Sequence, residues 1–353
     1  MNRLPQKMWG AWLSATNSAA VYGCASLTLS DNERRFFRDA DPLGFILFAR
    51  NVEEPDQVRA LVADLRDCVG RSAPVLIDQE GGRVQRLRPP HWRSAPPMRV
   101  FGDAYKRNPD AALEAVRKNM QAIGVELADL GIDVDCAPCL DVPIPGAHDI
   151  IGNRALSEDP EVVSALAEAA CQGLIDAGVV PVIKHLPGHG RALVDSHEKL
   201  PEVTDSEQDM GLHDLLPFKA VAKMPVAAMT AHVVYTAYAE GEVATLSHTV
   251  ISRVIRSEIG FHGLLFSDDL GMKALSGSFT ERAETCLAAG CDVALHCSGD
   301  LEEMQQVAAG VTPLSDHAVS ALEDLNRFRG RPQVEIDFKT AAFQVAELLE
   351  TAA

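Results

Sequence analysis

The chain has 353 residues, 47% of them hydrophobic, and a formal net charge of -18. That is enough apolar material for a large core, and the acidic balance excludes a nucleic-acid partner, because phosphate binding needs a basic surface. No window approaches the ~18 apolar residues of a membrane-spanning helix, and "MNRLPQKMWGAWLSATNSAA" lacks the apolar core of a signal peptide, so a cytoplasmic protein with no membrane partner is expected.

Eight short runs rich in Val, Ile and Leu follow one another along the chain, at residues 19–25, 44–48, 73–77, 131–137, 179–184, 225–230, 263–267 and 291–295. Helix-like stretches lie between them. Residues 56–69 carry apolar side chains at 58, 61, 62 and 65. Residues 159–178 open on Asp159-Pro160 and close at Gly178, a start and stop pair for a helix. The stretch 281–290 also stops at a glycine. Continuous apolar strands alternating with helices imply a parallel sheet covered on both faces. Eight such units predict an α/β fold of (β/α)8 TIM-barrel type; a doubly wound open sheet is the rival. A single barrel domain is expected over residues 1–353, with the barrel at about 19–330 and a C-terminal helix at about 338–350. As a free-standing unit it is expected to be a monomer or a weak homo-oligomer. The eight cysteines fall in apolar stretches and read as buried free thiols of a reducing compartment.

Polar residues close nearly every run. Asp78, Asp135, Lys184 with His185, Thr230 with His232, Asp268 with Asp269, and His296 all stand at strand ends. In a barrel these ends share one face, where active sites are built; the rival reading, that they cap helices or satisfy loop backbone, is weaker for any one residue and much weaker for the set.

Four segments carry the candidate chemistry. In "FSDDLGM" (266–272), adjacent Asp268 and Asp269 point to opposite sides of an extended strand. One faces the site and the other is left to hold a loop. In "DQEGGRVQRL" (78–87), two glycines permit a tight turn, and Asp78 with Arg86 offers an acceptor and a donor suited to a polyol. "HDIIGNRALSEDP" (148–160) presents Arg154. "KHLPGHGRALVDSH" (184–197) is the densest. Asp195 and His197 are spaced to form a carboxylate–imidazole pair able to move a proton. Its histidines and aspartate also suit zinc, although H-x3-H and D-x-H match no familiar zinc motif. Lys184 at a strand end is also placed for Schiff-base chemistry.

Taken together and in order, "LGFILFARN", "DQEGGRVQRL", "IIGNRAL", "KHLPGHG", "DSH", "MTAHV", "SDDLGM" and "AGCDVALHC" resemble the family-3 glycoside hydrolases, in particular single-domain bacterial β-N-acetylglucosaminidases. The resemblance implies a (β/α)8 barrel and a retaining mechanism through a covalent glycosyl-enzyme, with no metal and no cofactor. It implies Asp268 as nucleophile, His197 as acid/base and Asp195 as its partner. Asp78, Arg86, Arg154, Lys184 and His185 are implied to hold the sugar hydroxyls. The implied substrate is a small carbohydrate, GlcNAc on anhydro-MurNAc-peptide from cell-wall (peptidoglycan) recycling. Many longer relatives complete the site with a second domain; here the acid/base is expected from the barrel's own loop. Leu186 stands where phenylalanine is usual, Arg191 where small or apolar residues are common, and Cys139 where valine is usual. These departures are expected to affect loop packing and leaving-group contacts. Three alternatives remain open: a phosphorylase on the same site, a metal-dependent hydrolase using His185, His189 and His197, and a sugar-binding protein without turnover.

Overall fold

The computed structural model describes residues 17–196 and 199–351. Eight parallel strands close into a barrel: β1 (Ser18–Tyr22), β2 (Pro42–Leu47), β3 (Val75–Ile77), β4 (Val134–Asp135), β5 (Val180–Leu186), β6 (Ala227–Thr230), β7 (Leu265–Asp269) and β8 (Val293–His296). They run round the barrel in chain order, and β8 pairs back onto β1 through Ala20 with Ala294 and Tyr22 with His296. Every expected run supplies one strand, so the barrel holds and the open sheet does not. Helices cover the outside, including α1 (Asp31–Ala40), α2 (Pro55–Val69), α3 (Pro109–Asp129), α4 (Pro160–Asp176) and α5 (Phe279–Ala289).

The sequence logic of the helices is visible at their ends. Asn108 and Asp159 cap α3 and α4, each with proline at the first turn, and Ser30 and Ser278 form capping boxes with Glu33 and Glu281. These caps satisfy amide groups that the helix itself leaves unpaired. α5 ends at Gly290 with φ of 115°, a conformation that a Cβ disfavours.

Side-chain alternation along each strand divides the core in two. Ala19, Val21, Val293, Leu295, Val180 and Val182 point inward and fill the barrel, whereas Ala20, Tyr22 and Ala294 face the helices. Period-two alternation therefore does not show in the sequence as apolar against polar, since both faces are buried. The helix α6 (Asp316–Asn326) contributes Ala318, Leu322 and Leu325 to the inner cluster and closes the barrel where the strands begin. The helix α7 (Phe338–Thr351) packs on α3.

The bottom of the barrel is held by charge as well. The Asp133 carboxylate accepts from Arg66 at 2.9 Å, from Arg329 at 2.5 Å and from the Val75 amide at 2.9 Å. This one anion ties α2, β3 and the segment after α6 together. Removing it strands two largely buried guanidinium groups. Asp133→Ala should therefore lower the unfolding free energy by about 3 kcal/mol or more in urea titration. A loss well under about 1 kcal/mol would mean that the network adds little beyond packing.

Candidate active site

The strand ends carry the described polar residues picked out from sequence to one face of the barrel. Lys184, near the end of β5, is buried. Its ammonium lies 2.7 Å from the Asp78 carboxylate and 2.7 Å from that of Glu80. Arg86 closes on Asp78 at 2.9 Å, and Arg154 grips both oxygens of Glu80 at 2.8 and 2.9 Å. Three cations and two anions thus form one chain from β3 through β5 to the loop after β4. Burial by itself would raise the two carboxyl pKa values, but Lys184 and the arginines outweigh it. Asp78 falls well below its usual range and Glu80 goes down to about 2. The same two anions outweigh desolvation of Lys184 and hold it protonated. A permanently charged ammonium is no nucleophile, which removes the Schiff-base reading.

The backbone that presents these groups is built for close approach. Gln79–Gly81 and Val84–Gln85 form a small antiparallel hairpin after β3. Its turn uses Gly81 and Gly82 at φ of 99° and 57°, and a Cβ on Gly82 would meet Pro97 at 2.6 Å. The Gln79 side chain braces the return, accepting from the Arg86 and Leu87 amides and donating to the Leu87 carbonyl.

Next to this chain is a second centre, around the fully buried Asp141. One oxygen accepts the amides of His185 and His189 at 3.2 and 2.7 Å; the other accepts His185 Nδ1–H at 2.7 Å. Burial opposes the charge, but His185 and His189 prevail and keep Asp141 ionised. An ionised partner at Nδ1 fixes the tautomer of His185 and leaves Nε2 for the pocket. The residues Pro187 to Gly190 are therefore not an open flap. Their backbone is stitched inward by Asp141 and by the Tyr235 hydroxyl, which donates to the Gly188 carbonyl at 2.8 Å. At Gly190 a Cβ would meet the Val142 carbonyl at 2.0 Å.

His189, the histidine with no clear task in the sequence, is buried. Its Nε2 lies 3.0 Å from the Ser196 hydroxyl. Desolvation pushes its pKa down to about 4. It is neutral and links the bend to the segment carrying Asp195. Asp195 is half-buried, and its carbonyl accepts from Lys199 at 2.9 Å. His197 lies outside the described residues.

The two aspartates at the end of β7 have different surroundings. Asp269 accepts from the amides of Gly271 and Cys297 at 2.9 and 3.0 Å, so it holds the loop, one of the two jobs foreseen for the pair. The Asp268 amide donates to Thr230 at 3.3 Å, and its carboxylate is close enough to influence the titration of His189 and His232. Behind it, His232 bridges Thr245 at 2.8 Å and the Asp269 carbonyl at 2.9 Å.

Glu80, Asp141 and Thr245 were not singled out from sequence. Glu80 lay inside the glycine turn and Asp141 in "CAPCLDV", but their partners are 74 and 44 residues away. Only a carboxylate beside a strand end hinted at them. Cys139 also acts differently from the expected loop-packing role: its Sγ is 3.1 Å from Asp141.

The glycosyl hydrolase family 3 N-terminal domain model matches residues 23–324. The chain belongs to this family. It is 40% identical over 281 residues to the beta-hexosaminidase of Thiobacillus denitrificans, covering 78% of this chain and 76% of the relative. It is 38% identical over 316 residues to that of Chromobacterium violaceum, covering 88% and 86%. Among solved structures, native NagZ from Neisseria gonorrhoeae superposes with a TM-score of 0.85 at 31% identity over 95% of this chain and 98% of that one. The same enzyme in complex with N-trifluoroacetyl-D-glucosamine gives 0.84 at 30% identity, over 95% and 98%. The chain is a glycoside hydrolase of the beta-hexosaminidase kind.

Neutral His189 makes stability depend on pH in one direction. The unfolded chain takes up its proton below about 6.5 and the folded chain only below about 4. Stability should thus decline as pH falls from 6.5 to 4. His189→Asn should flatten that decline in melting temperature, and an unchanged slope would show that His189 does not titrate this way.

Proposed function

We propose that the chain is a retaining exo-β-N-acetylglucosaminidase that releases terminal GlcNAc from peptidoglycan fragments (GlcNAc on anhydro-MurNAc-peptide) in the cytoplasm. Asp268 attacks the anomeric carbon while His197, oriented by Asp195, gives its proton to the departing oxygen. A glycosyl-aspartate forms. Water then yields a proton to His197 and attacks the same carbon, which frees the sugar and restores Asp268. Lys184, Arg86 and Arg154 donate to the hydroxyls, and Asp78 and the Nε2 of His185 accept from them. Membership of the family and likeness to beta-hexosaminidases support this reading.

The observation that carries it is the division of labour at the end of β7. Asp269 accepts the loop amides of Gly271 and Cys297, whereas Asp268, one of whose oxygens accepts the Asp269 amide at 2.8 Å, stands near enough to His189 and His232 for its charge to act on both rings. The ion chain supports the same reading. Its members are charged before substrate arrives and fixed against one another, so the donors need no reorganisation when the ring distorts toward the oxocarbenium ion. An imidazole serves both proton steps because it titrates near neutral pH.

Incubation with a 2-acetamido-5-fluoro glucosyl donor should add one sugar mass to the peptide containing Asp268; a label elsewhere overturns the nucleophile assignment. Asp268→Ala should lower kcat on a nitrophenyl β-N-acetylglucosaminide by about 1,000-fold or more, and EDTA should leave the wild-type rate unchanged. His197→Ala should lose far more rate with a sugar leaving group than with nitrophenol, because only the poorer leaving group needs the proton. Equal losses on both would argue against His197 as the acid.

A further inference from the structure

Arg191 follows the tight bend at Gly190, and its side chain is only 9% exposed. Its Nε donates to Asp214 at 2.6 Å, and a terminal nitrogen donates to Asp205 at 2.7 Å. The Asp205 contact spans 14 residues, so it closes the chain from Arg191 to Asp205 into a ring. Asp195 lies on that ring. We propose that Arg191 is a positioning residue: its fork fastens both ends of the ring to the bend, and this sets where Asp195 stands when a proton passes to the leaving oxygen.

Both anchors are themselves fixed. Asp214 is completely buried, and it packs so closely on the bend that a Cβ on Gly188 would meet its Cβ at 2.8 Å. Asp205 follows Glu202–Val203, which pair in parallel with Val234–Tyr235. Tyr235 in turn holds the Gly188 carbonyl. The fork therefore joins the ring to the same root that Asp141 stitches together.

Two further ties of the ring are neutral. The Ala192 carbonyl accepts from the His148 amide at 2.9 Å, and the Ser196 hydroxyl meets neutral His189 at 3.0 Å. Charge-assisted hydrogen bonds are roughly twice as strong as neutral ones. Arg191 supplies two of them from one planar group, which also fixes their directions. A small or apolar side chain at this position makes neither. Closing the ring removes conformational freedom that an open segment keeps. That matters for chemistry, because a misplacement of about 1 Å at a reacting group lowers rate steeply.

The catalytic half rests on the proposed proton transfer by His197 and Asp195; the ring closure does not. Asp205→Ala is the decisive variant. Asp205 is 33% exposed, and its loss leaves Arg191 paired with Asp214, whereas Arg191→Ala strands a buried carboxylate and endangers the fold. Hydrogen exchange read by mass spectrometry should show the amides of residues 192–196 exchanging about tenfold faster in Asp205→Ala than in the wild-type chain. With a β-linked GlcNAc disaccharide, Asp205→Ala should lower kcat/KM about tenfold. With a nitrophenyl β-N-acetylglucosaminide, whose leaving group needs no proton, kcat/KM should stay within about twofold. Asp205→Glu, which keeps the carboxylate, should recover the disaccharide rate. Unchanged exchange, no loss on the disaccharide, or an equal loss on both substrates overturns the proposal. If Asp195→Ala itself loses no more on the disaccharide than on the nitrophenyl sugar, the proposed function is at fault, and hydrogen exchange still decides the ring closure.

Discussion

The active face depends on an ammonium placed between two carboxylates. Lys184 is almost completely withdrawn from water, and its charge is tolerable only because Asp78 and Glu80 each stand 2.7 Å away. Those anions are in turn secured by Arg86 and Arg154. None of the five is independent. Remove one and a neighbour is left as an uncompensated buried charge, which costs several kcal/mol. The cluster therefore fixes the hairpin after β3, the end of β5 and the loop after β4 relative to one another. It also keeps donors and acceptors charged and oriented, as electrostatic preorganisation requires.

Asp141 does for the next segment what the ion cluster does for the hairpin after β3 and the loop after β4. It collects two backbone amides and one imidazole on a single buried carboxylate. That makes the sharp path from His185 to Gly190 cheap in hydrogen-bonding terms, since its amides point at an anion rather than at apolar neighbours. The glycines then let the chain pass within contact of Val142 and Asp214, where side chains would collide. The result is a rigid root for the outer segment containing Asp195. At β7, the same economy applies. Asp269 is consumed by structure, and adjacent Asp268 is presented by the strand that Asp269 helps to terminate.

The two cores explain why this fold carries so many reactive groups at one end. Inner and outer clusters line most of the barrel walls with hydrocarbon, so strand-end positions are where ionisable groups can meet water. At the opposite end Asp133 and α6 seal the barrel with charge and hydrocarbon instead.

Eight apolar runs, the caps between them and the polar residues that terminate them were legible in the sequence, because strand burial, helix capping and turn chemistry are local. Local pattern also paired Asp268 with Asp269 as residues of opposite orientation. Pairwise matching across the barrel was not legible. Arg154, taken alone, read more readily as an ion-pair partner than as a ligand contact, but its partner was not identifiable; it is locked to Glu80, and that contact spans 74 residues. His189 looked like a candidate ligand or a structural residue; burial and Ser196 made it neutral and structural. Cys139 looked like a packing substitution, yet it touches the carboxylate that orients His185. The sequence by itself determined the barrel, the face that bears the site and the residue types gathered there. Only the tertiary structure decided which charge answers which, because ion pairing between buried groups depends on distances that chain separation does not encode.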